Sequence, residues 1–169
     1  MDGSNDSSQY SRIPTLNDLI TLCRHLNDHG VKYVIIGGFA VIRHGYIRAT
    51  GDIDLLVENT HENIELLKNA LAFIPDSESD KIADDDLDKY QIVRVSGEIT
   101  VDILAKACEV TYSDAEGNIV IDEIEGVEIP FLDPELLIRT KMGVRPKDVQ
   151  DRRFLESLLK EGKERTPDS

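Results

Sequence analysis

The fold is decided by the stretch Tyr33-Val-Ile-Ile-Gly-Gly-Phe-Ala-Val-Ile-Arg-His-Gly-Tyr-Ile-Arg-Ala-Thr-Gly-Asp-Ile-Asp-Leu-Leu-Val57. The β-branched run 34–36 predicts a strand that stops at Gly37-Gly38, a turn signal. Residues 39–44 can form about two turns of helix. A second strand, 52–57, follows and opens with two aspartates. The stretch therefore predicts a strand, a glycine turn, a short helix and a second strand in direct succession.

Two features of this unit carry chemistry. Asp52 and Asp54 point to the same side of their strand, because successive strand side chains alternate between the two faces. They are then about 7 Å apart along the strand, so their carboxylates can share a hard cation. The Gly37-Gly38 turn leads into a helix, whose first N–H groups and positive dipole end favour a phosphate. A phosphate-binding turn beside a carboxylate pair is the layout that an enzyme acting on nucleoside triphosphates needs.

The composition is that of a globular protein with one core. The chain has 169 residues, of which 40% are hydrophobic and 31% charged, and a net charge of −14. Because it has no apolar run of membrane-spanning length and no signal-peptide pattern, we predict a soluble, cytoplasmic protein without a membrane partner. The acidity argues against an extended nucleic-acid surface, but it allows a small anionic ligand bound with Mg²⁺, or a basic partner protein. Cys23 and Cys108 are predicted to be reduced core residues, since they lie in apolar or amphipathic segments without CxxC spacing.

We predict one folded domain, 13–161, between a mobile N-terminal tail, 1–12, and a polar C-terminal tail, 162–169. The acidic stretch 75–89 predicts a solvated loop or a short exposed helix, because it lacks the glycine and the terminal glutamate of a calcium loop. Caps, turns and apolar spacing predict the other elements: a helix that Thr15 begins and Gly30 ends, a helix over 61–72, a hairpin of strands 90–95 and 99–105, two or three short strands within 108–131, and helices over 133–142 and 145–160.

Asp102 interrupts an otherwise apolar strand, where an unpaired charge would be costly. An arginine, backbone donors or a metal ion must therefore compensate it. If this strand lies beside the strand of Asp52 and Asp54, three carboxylates converge. Asp102 could then ligate a second metal ion or accept the proton of an attacking hydroxyl. A purely structural ion pair of Asp102 with Arg48 or Arg94 is the alternative.

These motifs resemble a known family. The Gly37-Gly38 turn, the Asp52-x-Asp54 pair and a strand aspartate at position 102 look like the nucleotidyltransferase fold of the DNA polymerase β superfamily. The full string GGFAVIRHGYIRATGDIDLLV is most similar to small nucleotidyltransferases of the AbiEii/AbiGii toxin type and to their antibiotic-modifying relatives. The resemblance covers roughly residues 16–160 and includes Lys141 and the segment 145–151, which are similar to later motifs of that group.

The resemblance implies an α/β fold of the α+β type, with a mixed β-sheet and helices packed mainly on one face. In matching positions it implies these roles: phosphate contacts for Gly37 and Gly38, metal binding for Asp52, Asp54 and Asp102, and catalytic roles for Asp102, Lys141 and Asp148. One departure is that many members carry a serine where this chain has Gly38, which can offer only its backbone N–H.

Several neighbouring residues have two interpretations each. Arg48 and Thr50 precede the acidic pair and are candidate nucleotide contacts, but Arg48 could equally neutralise the carboxylates. His44 is more typical of helix-end packing than of a ligand. The remaining candidates could be ordinary exposed helix charges: Lys141, Lys147, Asp148 and Asp151.

The resemblance implies transfer of a nucleoside monophosphate from an NTP (ATP, CTP or GTP) to a hydroxyl of an unidentified acceptor, with release of pyrophosphate. The acceptor could be a small molecule, a protein side chain or an RNA end. The cofactor is Mg²⁺, as one or two ions, and Mn²⁺ could substitute for it. Little chain is left for a separate acceptor-binding domain, so we expect a homodimer partner or another protein to help bind the acceptor. The alternative is a catalytically silent module of the same fold that acts through a protein partner. A metal hydrolase is disfavoured, because the four histidines are scattered.

Overall fold

A computed structural model of the protein describes residues 11–165; residues 1–10 and 166–169, which belong to the predicted tails, lie outside the described part. The helices are Leu16–Asp28 (α1), Gly37–Arg43 (α2), His61–Leu71 (α3), Asp86–Lys89 (α4), Tyr112–Ala115 (α5), Pro134–Arg139 (α6) and Pro146–Arg165 (α7). The strands are Tyr33–Ile36 (β1), Ile53–Val57 (β2), Val93–Ser96 (β3), Thr100–Leu104 (β4), Lys106–Ala107 (β5), Val110–Thr111 (β6), Ile119–Ile124 (β7) and Val127–Leu132 (β8).

Six of the strands form one mixed sheet in the order β3-β4-β2-β1-β8-β7. β2 runs antiparallel to β1 but parallel to β4, and β1 runs parallel to β8. β3 and β7 close the two edges as antiparallel neighbours of β4 and β8. β5 and β6 form a separate hairpin. The predicted fold class, a mixed sheet with packed helices, is confirmed.

The central strands are held in place by burial on both faces. All four residues of β1 and four of the five residues of β2 are buried. α1 begins at a capping box, in which Thr15 and Asp18 each accept a hydrogen bond from the other's backbone N–H. Its apolar face packs against α3 and β8. Asp54 is the half-buried exception within β2, so the strand leaves one polar side chain at the edge of the core.

Some predicted boundaries differ from the structure. The helix predicted over 133–142 ends earlier, at Arg139, because Thr140 is its C-cap, and Lys141 therefore lies in the connection to α7. The strand predicted over 90–95 begins at Val93, because Tyr90 is the C-cap of α4 and residues 91 and 92 connect the helix to the strand. α7 continues to Arg165, beyond the predicted end of the domain.

The two cysteines have different environments. Cys23 is buried, as predicted, and burial raises the pKa of its thiol to about 12. The prediction that Cys108 is a core residue is wrong, because Cys108 is exposed. It lies in the tight turn between β5 and β6 with a φ of 50°, so its buried neighbours Ala107 and Val110 face the core in its place.

Ser11 and Arg12 border the described part of the chain. The Ser11 hydroxyl donates to the Gly97 carbonyl at 2.7 Å, and Arg12 pairs with Glu98 at 3.1 Å. These contacts join the start of the described chain to the β3–β4 turn. No helix within residues 11–165 is long and apolar enough to cross a membrane.

Candidate active site

The structure brings the three predicted metal-binding aspartates together. β2 and β4 are parallel neighbours, and Asp54 lies directly opposite Asp102 in their register. Asp52 precedes Asp54 by two residues and therefore faces the same side. One carboxylate oxygen of each aspartate lies within 4.8 Å of those of the other two. The predicted convergence is therefore present, whereas the roles of the three residues stay predictions.

Burial and neighbouring carboxylates raise the pKa values of Asp52 and Asp54. Burial, followed by the charges of Asp102 and Asp52, raises the pKa of Asp54 to about 7. Burial and the adjacent Asp102 also raise the pKa of Asp52. Crowded carboxylates with raised pKa values favour a bound cation, and a set of three oxygen donors suits a hard divalent ion such as Mg²⁺ or Mn²⁺. The residues present thus fit the ion that the resemblance implies.

Arg94 on β3 is the basic side chain that contacts this group. Its Nε donates to Asp102 Oδ1 at 2.8 Å, and its Nη2 donates to Asp102 Oδ2 at 3.0 Å. Nη2 also lies 3.3 Å from Asp52 Oδ2. Of the two structural partners considered for Asp102, Arg94 is therefore the one found and Arg48 is not. The ion pair and the carboxylate convergence occur together, so the two interpretations of Asp102 do not exclude each other.

The two glycines let the neighbouring side chains approach closely. Gly37 has a φ of 71°, and a Cβ there would lie 2.7 Å from Asp54 Cγ. A Cβ at Gly38 would lie 2.5 Å from Thr50 Oγ1 and 3.1 Å from Arg48 Nη2. The Thr50 side chain thus fills the space beside Gly38 that a serine at this position would need. This packing gives a physical reason for the departure of Gly38 from the family pattern.

Arg48 and Lys141 converge on one buried acid, Asp151 of α7. Arg48 Nη2 donates to Asp151 Oδ2 at 2.9 Å, and Lys141 Nζ lies 3.1 Å from the same oxygen. Arg48 Nε is 2.9 Å from Asp151 Oδ1, an ion-pair contact without hydrogen-bond alignment. Asp151 is fully buried, and the two cationic side chains are only 16% and 10% exposed. Arg48 therefore neutralises Asp151 and not the three aspartates.

Sequence reasoning undervalues Asp151 by treating it as an ordinary helix charge. A signal was present in the spacing of α7, where Asp148, Asp151 and Leu155 follow one another at intervals of three and four residues. All three are buried, so they share the inner face of the helix. An acid on the buried face of a helix requires a partner, and this requirement distinguishes Asp151 from exposed acids of α7.

The other predicted residues line the walls of the site. Asp148 is buried, and its Oδ2 lies 3.3 Å from Arg145 Nε. Lys147 is exposed at the rim. His44 is not part of the site: its Nε2 hydrogen-bonds with the Leu132 carbonyl at 2.8 Å, and burial lowers its pKa. This contact agrees with the predicted packing role of His44.

Three cavities that share lining residues lie at or beside the aspartates. The first has a volume of about 510 Å³ and is lined by Gly38, Arg48, Thr50, Gly51, Asp52, Asp54, Lys141, Arg145, Pro146, Lys147, Asp148 and Asp151. A smaller one, of about 180 Å³, contains all three aspartates and Arg94. A third, of about 570 Å³, shares Ile92, Leu104 and Ala107 with the smaller one and extends along residues 87–92 and 104–109. All three cavities share Arg145 and Asp148, and the aspartates line the first cavity, the smaller one or both.

A second acidic group lies apart from these cavities. His61, Glu65 and Asp84 also bring one ligand atom each within 4.8 Å of the others. His61 and Asp84 are exposed and form an ion pair of 2.7 Å. None of the three residues lines the cavities described above.

The fold and the paired carboxylates beside a glycine turn define a protein of the nucleotidyltransferase class. The chain belongs to the family of nucleotidyl transferases of unknown function (DUF2204), whose model matches residues 15–166. The AbiEii subtype is not part of this match. No curated protein sequence matches the chain significantly.

Solved structures of nucleotidyltransferases share the fold. A Thermotoga maritima protein assigned as a nucleotidyltransferase superposes with a TM-score of 0.59 at 16% identity, over 93% of this chain and 99% of that one. The lincosamide antibiotic adenylyltransferase LnuA, solved with lincomycin bound, gives 0.59 at 16% identity over 88% and 99%. An antigenic nucleotidyltransferase-like protein from Paracoccidioides brasiliensis gives 0.51 at 16% identity over 98% and 90%. At these identities the likeness is one of fold alone.

Proposed function

We propose that this protein transfers a nucleoside monophosphate from an NTP to a hydroxyl group of a small molecule and releases pyrophosphate. The observation that carries the proposal is the convergence of Asp52, Asp54 and Asp102 beside a cavity with a glycine wall and buried cations. In the reaction, the acceptor oxygen bonds to the α-phosphorus of the NTP. The bond from that phosphorus to the pyrophosphate oxygen breaks, and the acceptor loses its hydroxyl proton.

The first cavity is the proposed nucleotide site. Its volume of about 510 Å³ lies within the range of about 300–1,000 Å³ that small-ligand sites occupy. Arg48 and Lys141 present positive charge to it, and Asp151 holds both side chains in place. Lys147 at the rim adds a further cation. With Mg²⁺ bound to Asp52 and Asp54, the cations that line this cavity outnumber its remaining acids, Asp148 and Asp151, and so complement a triphosphate.

Asp52 and Asp54 would hold Mg²⁺ between this cavity and the other two. Both carboxylates line the first cavity as well as the smaller one, so an ion on them could also reach a phosphate oxygen. When bound, Mg²⁺ supplies positive charge that offsets the phosphate charge during displacement. Mn²⁺ accepts the same oxygen ligands and is expected to substitute.

Asp102 marks the proposed acceptor side. It lines the smaller cavity but not the first one, and the smaller cavity shares Ile92, Leu104 and Ala107 with the groove along residues 87–92 and 104–109. A hydroxyl that enters from this groove would reach Asp102 opposite the triphosphate. Asp102 could accept a hydrogen bond from the hydroxyl and orient it, or take its proton.

A small acceptor is favoured over RNA for two reasons. The groove volume of about 570 Å³ suits one small molecule, and the net charge of −14 opposes a polyanion. The structural likeness to an adenylyltransferase solved with a small antibiotic bound agrees with this choice. A second subunit or another protein could complete the groove, and we place the reaction in the cytoplasm.

The experiment is label transfer from α-³²P-labelled ATP, CTP and GTP to a panel of hydroxyl compounds with Mg²⁺. Asp52→Asn and Asp54→Asn should each lower transfer by at least about 100-fold, as expected for loss of a group that acts in the transition state. Asp28→Asn, which removes an exposed acid of α1, is the control for net charge. Retention of full transfer by both site variants would contradict the proposal.

Thermal unfolding separates the enzyme from a catalytically silent binding module. Mg²⁺ with the preferred NTP should raise the unfolding temperature of the wild-type protein by mass action, and Asp54→Asn should abolish this rise. If no NTP stabilises the wild-type protein in the presence of Mg²⁺, the silent module becomes the better explanation. A search for a bound protein partner would then be the next experiment.

A further inference from the structure

Arg94 holds Asp102 through a contact that the sheet itself builds. β3 and β4 are antiparallel neighbours, and Arg94 lies directly opposite Asp102 in their register. Directly opposed strand residues have Cβ atoms about 4.5–5.5 Å apart, so the guanidinium meets the carboxylate without any loop to place it. The two hydrogen bonds, of 2.8 and 3.0 Å, form the paired fork that arginine makes with carboxylates.

Asp102 and Asp54 differ in the hydrogen bonds that their carboxylates accept. Asp102 is 4% exposed and uses both of its oxygens to accept hydrogen bonds from Arg94. Asp54, by contrast, accepts no side-chain hydrogen bond from residues 11–165, and only the more distant charges of Lys141 and Arg94 favour its carboxylate. Asp52 lies between these extremes, with one oxygen 3.3 Å from Arg94 Nη2. The guanidinium thus contacts Asp102 and Asp52 and leaves Asp54, the third aspartate of the cluster, open to a ligand.

This asymmetry determines how many divalent ions the group can take. Two-metal phosphoryl-transfer sites place their ions about 3.5–4 Å apart, where they stabilise the attacking and the leaving oxygen. The guanidinium of Arg94 contacts both Asp102 and Asp52, so it occupies the side of the group on which Asp102 would help to hold a second ion. Three carboxylates carry three negative charges, and one divalent ion with one guanidinium neutralises them.

We propose that Arg94 replaces one of the two metal ions of a two-metal centre, so that this protein binds a single divalent ion, on Asp52 and Asp54. This inference rests on the proposed function and specifies its metal requirement. Arg94 then acts as a positioning residue: it fixes the plane of the Asp102 carboxylate through the fork. The acceptor hydroxyl meets Asp102 held by an arginine and not by a second ion.

The test counts Mn²⁺ ions bound with an α,β-methylene nucleoside triphosphate, which cannot release pyrophosphate. The adenosine, cytidine and guanosine analogues are each titrated, and the complex is examined by calorimetry and by electron paramagnetic resonance. The wild-type chain should bind one Mn²⁺ with the nucleotide and show the spectrum of an isolated ion. Arg94→Gln, which removes the charge, should bind two ions and show a spin-coupled pair.

Two further variants complete the design. Arg43→Gln removes another arginine–carboxylate pair, with Asp122, that lines none of the three cavities, and this variant should retain one ion. Arg94→Lys keeps the positive charge without the fork and should also retain one ion. Unfolding transitions show which variants are folded. The wild-type spectrum tests the inference by itself if Arg94→Gln does not fold.

The outcomes separate this inference from the proposed function. A spin-coupled pair in the wild-type chain would overturn the inference and leave the proposed function standing. A single ion in folded Arg94→Gln would overturn it as well, because removal of the guanidinium should open the second position. A wild-type chain that binds neither ion nor nucleotide would overturn both.

Discussion

Gly37 lies directly against Asp54, so that a Cβ at position 37 would come within 2.7 Å of the Asp54 carboxylate carbon. Gly37 starts α2 in the left-handed region, with a φ of 71°, and Asp54 lies on the strand paired with β1. Position 37 therefore favours glycine for two separate reasons. Its backbone conformation is one that other residues adopt only at a cost, and the Asp54 carboxylate already occupies the space that a Cβ would need. The turn and the acid pair form one packed unit.

Gly37→Ala should damage both folding and the site. The left-handed conformation alone costs about 1–2 kcal/mol for a residue with a Cβ, and the displaced Asp54 adds to this. Gly117→Ala is the matched control, since a Cβ at Gly117 meets nothing within 4 Å and its φ is not in the left-handed region. Urea unfolding measures the difference. Equal unfolding free energies for the two variants would show that the close approach at Gly37 does not constrain the fold.

Gly38 and Thr50 should behave as a compensating pair. Gly38→Ser places a side chain where Thr50 Oγ1 and Cβ lie, 2.5 and 2.6 Å from the new Cβ, so we expect a loss of about 1–3 kcal/mol from overpacking. Adding Thr50→Gly clears that space. The double variant should therefore be more stable than the sum of the two single changes predicts, with a coupling energy of about 0.5–3 kcal/mol.

Thermal unfolding of the four chains completes this double-mutant cycle, and nucleotide-dependent stabilisation is measured in parallel. A serine at position 38 with glycine at position 50 should also regain part of any nucleotide binding lost in Gly38→Ser. Strictly additive effects on stability would mean that the Thr50 side chain does not determine the residue at position 38.

The acid group is predictable from sequence because its geometry follows from local rules. Strand alternation puts Asp52 and Asp54 on one face, and the cost of an unpaired acid in an apolar strand draws attention to Asp102. The pairing of their strands, which brings the three together, is a long-range event that periodicity alone does not determine. The family resemblance supplied that step, and the register of β2 with β4 confirms the convergence.

The parts that sequence reasoning missed depend on contacts between distant segments. Asp151 and Arg48 are separated by 103 positions, so no local pattern links them. The exposure of Cys108 follows from a turn between two strands of two residues each, which are too short to give an alternating pattern. The longer helices and strands were predictable, but the short elements β5 and α5 were not. The ends of elements were not predictable either, as the early end of α6 at Arg139 shows.

The raised pKa of Asp54 predicts how stability depends on pH in the metal-free protein. In the folded state this pKa is about 7, against an ordinary value of 3.8, so between these values the folded chain binds a proton that the unfolded chain has released. The contribution of Asp54 to stability is therefore fully present below about pH 4 and is lost as the pH rises through 7. A shift of this size corresponds to on the order of 4 kcal/mol.

Urea unfolding in EDTA at several pH values from 4 to 8 checks this dependence. Asp54→Asn should gain stability relative to the wild-type chain as the pH rises, because the amide carries no charge to be desolvated. Paired surface acids make stability rise with pH, which is the opposite of the Asp54 contribution. They are present in both chains, so their contribution cancels when the unfolding free energy of the wild-type chain is subtracted from that of Asp54→Asn. Asp28→Asn is the control for the change in net charge. A constant difference between Asp54→Asn and the wild-type chain across this range would contradict the raised pKa.

The buried position of Asp151 predicts that its loss is more costly than the loss of an exposed ion pair. Asp151→Ala leaves Arg48 and Lys141 without the carboxylate that holds them, and breaking a buried pair costs about 3–5 kcal/mol. Asp122→Ala is the control, because it removes the partner of Arg43 in a more exposed pair, for which about 0–1 kcal/mol is expected. Urea unfolding compares the two variants.

Nucleotide binding gives this prediction a second measurement. Once Arg48 and Lys141 are no longer fixed by Asp151, Mg²⁺ with an NTP should stabilise the variant less than it stabilises the wild-type chain. Asp151→Asn, which keeps the shape and can still accept hydrogen bonds, should fall between the wild-type chain and Asp151→Ala in both measurements. If Asp151→Ala loses stability but binds Mg²⁺ and NTP as tightly as the wild-type chain, Asp151 supports the fold without positioning the two cations for phosphate.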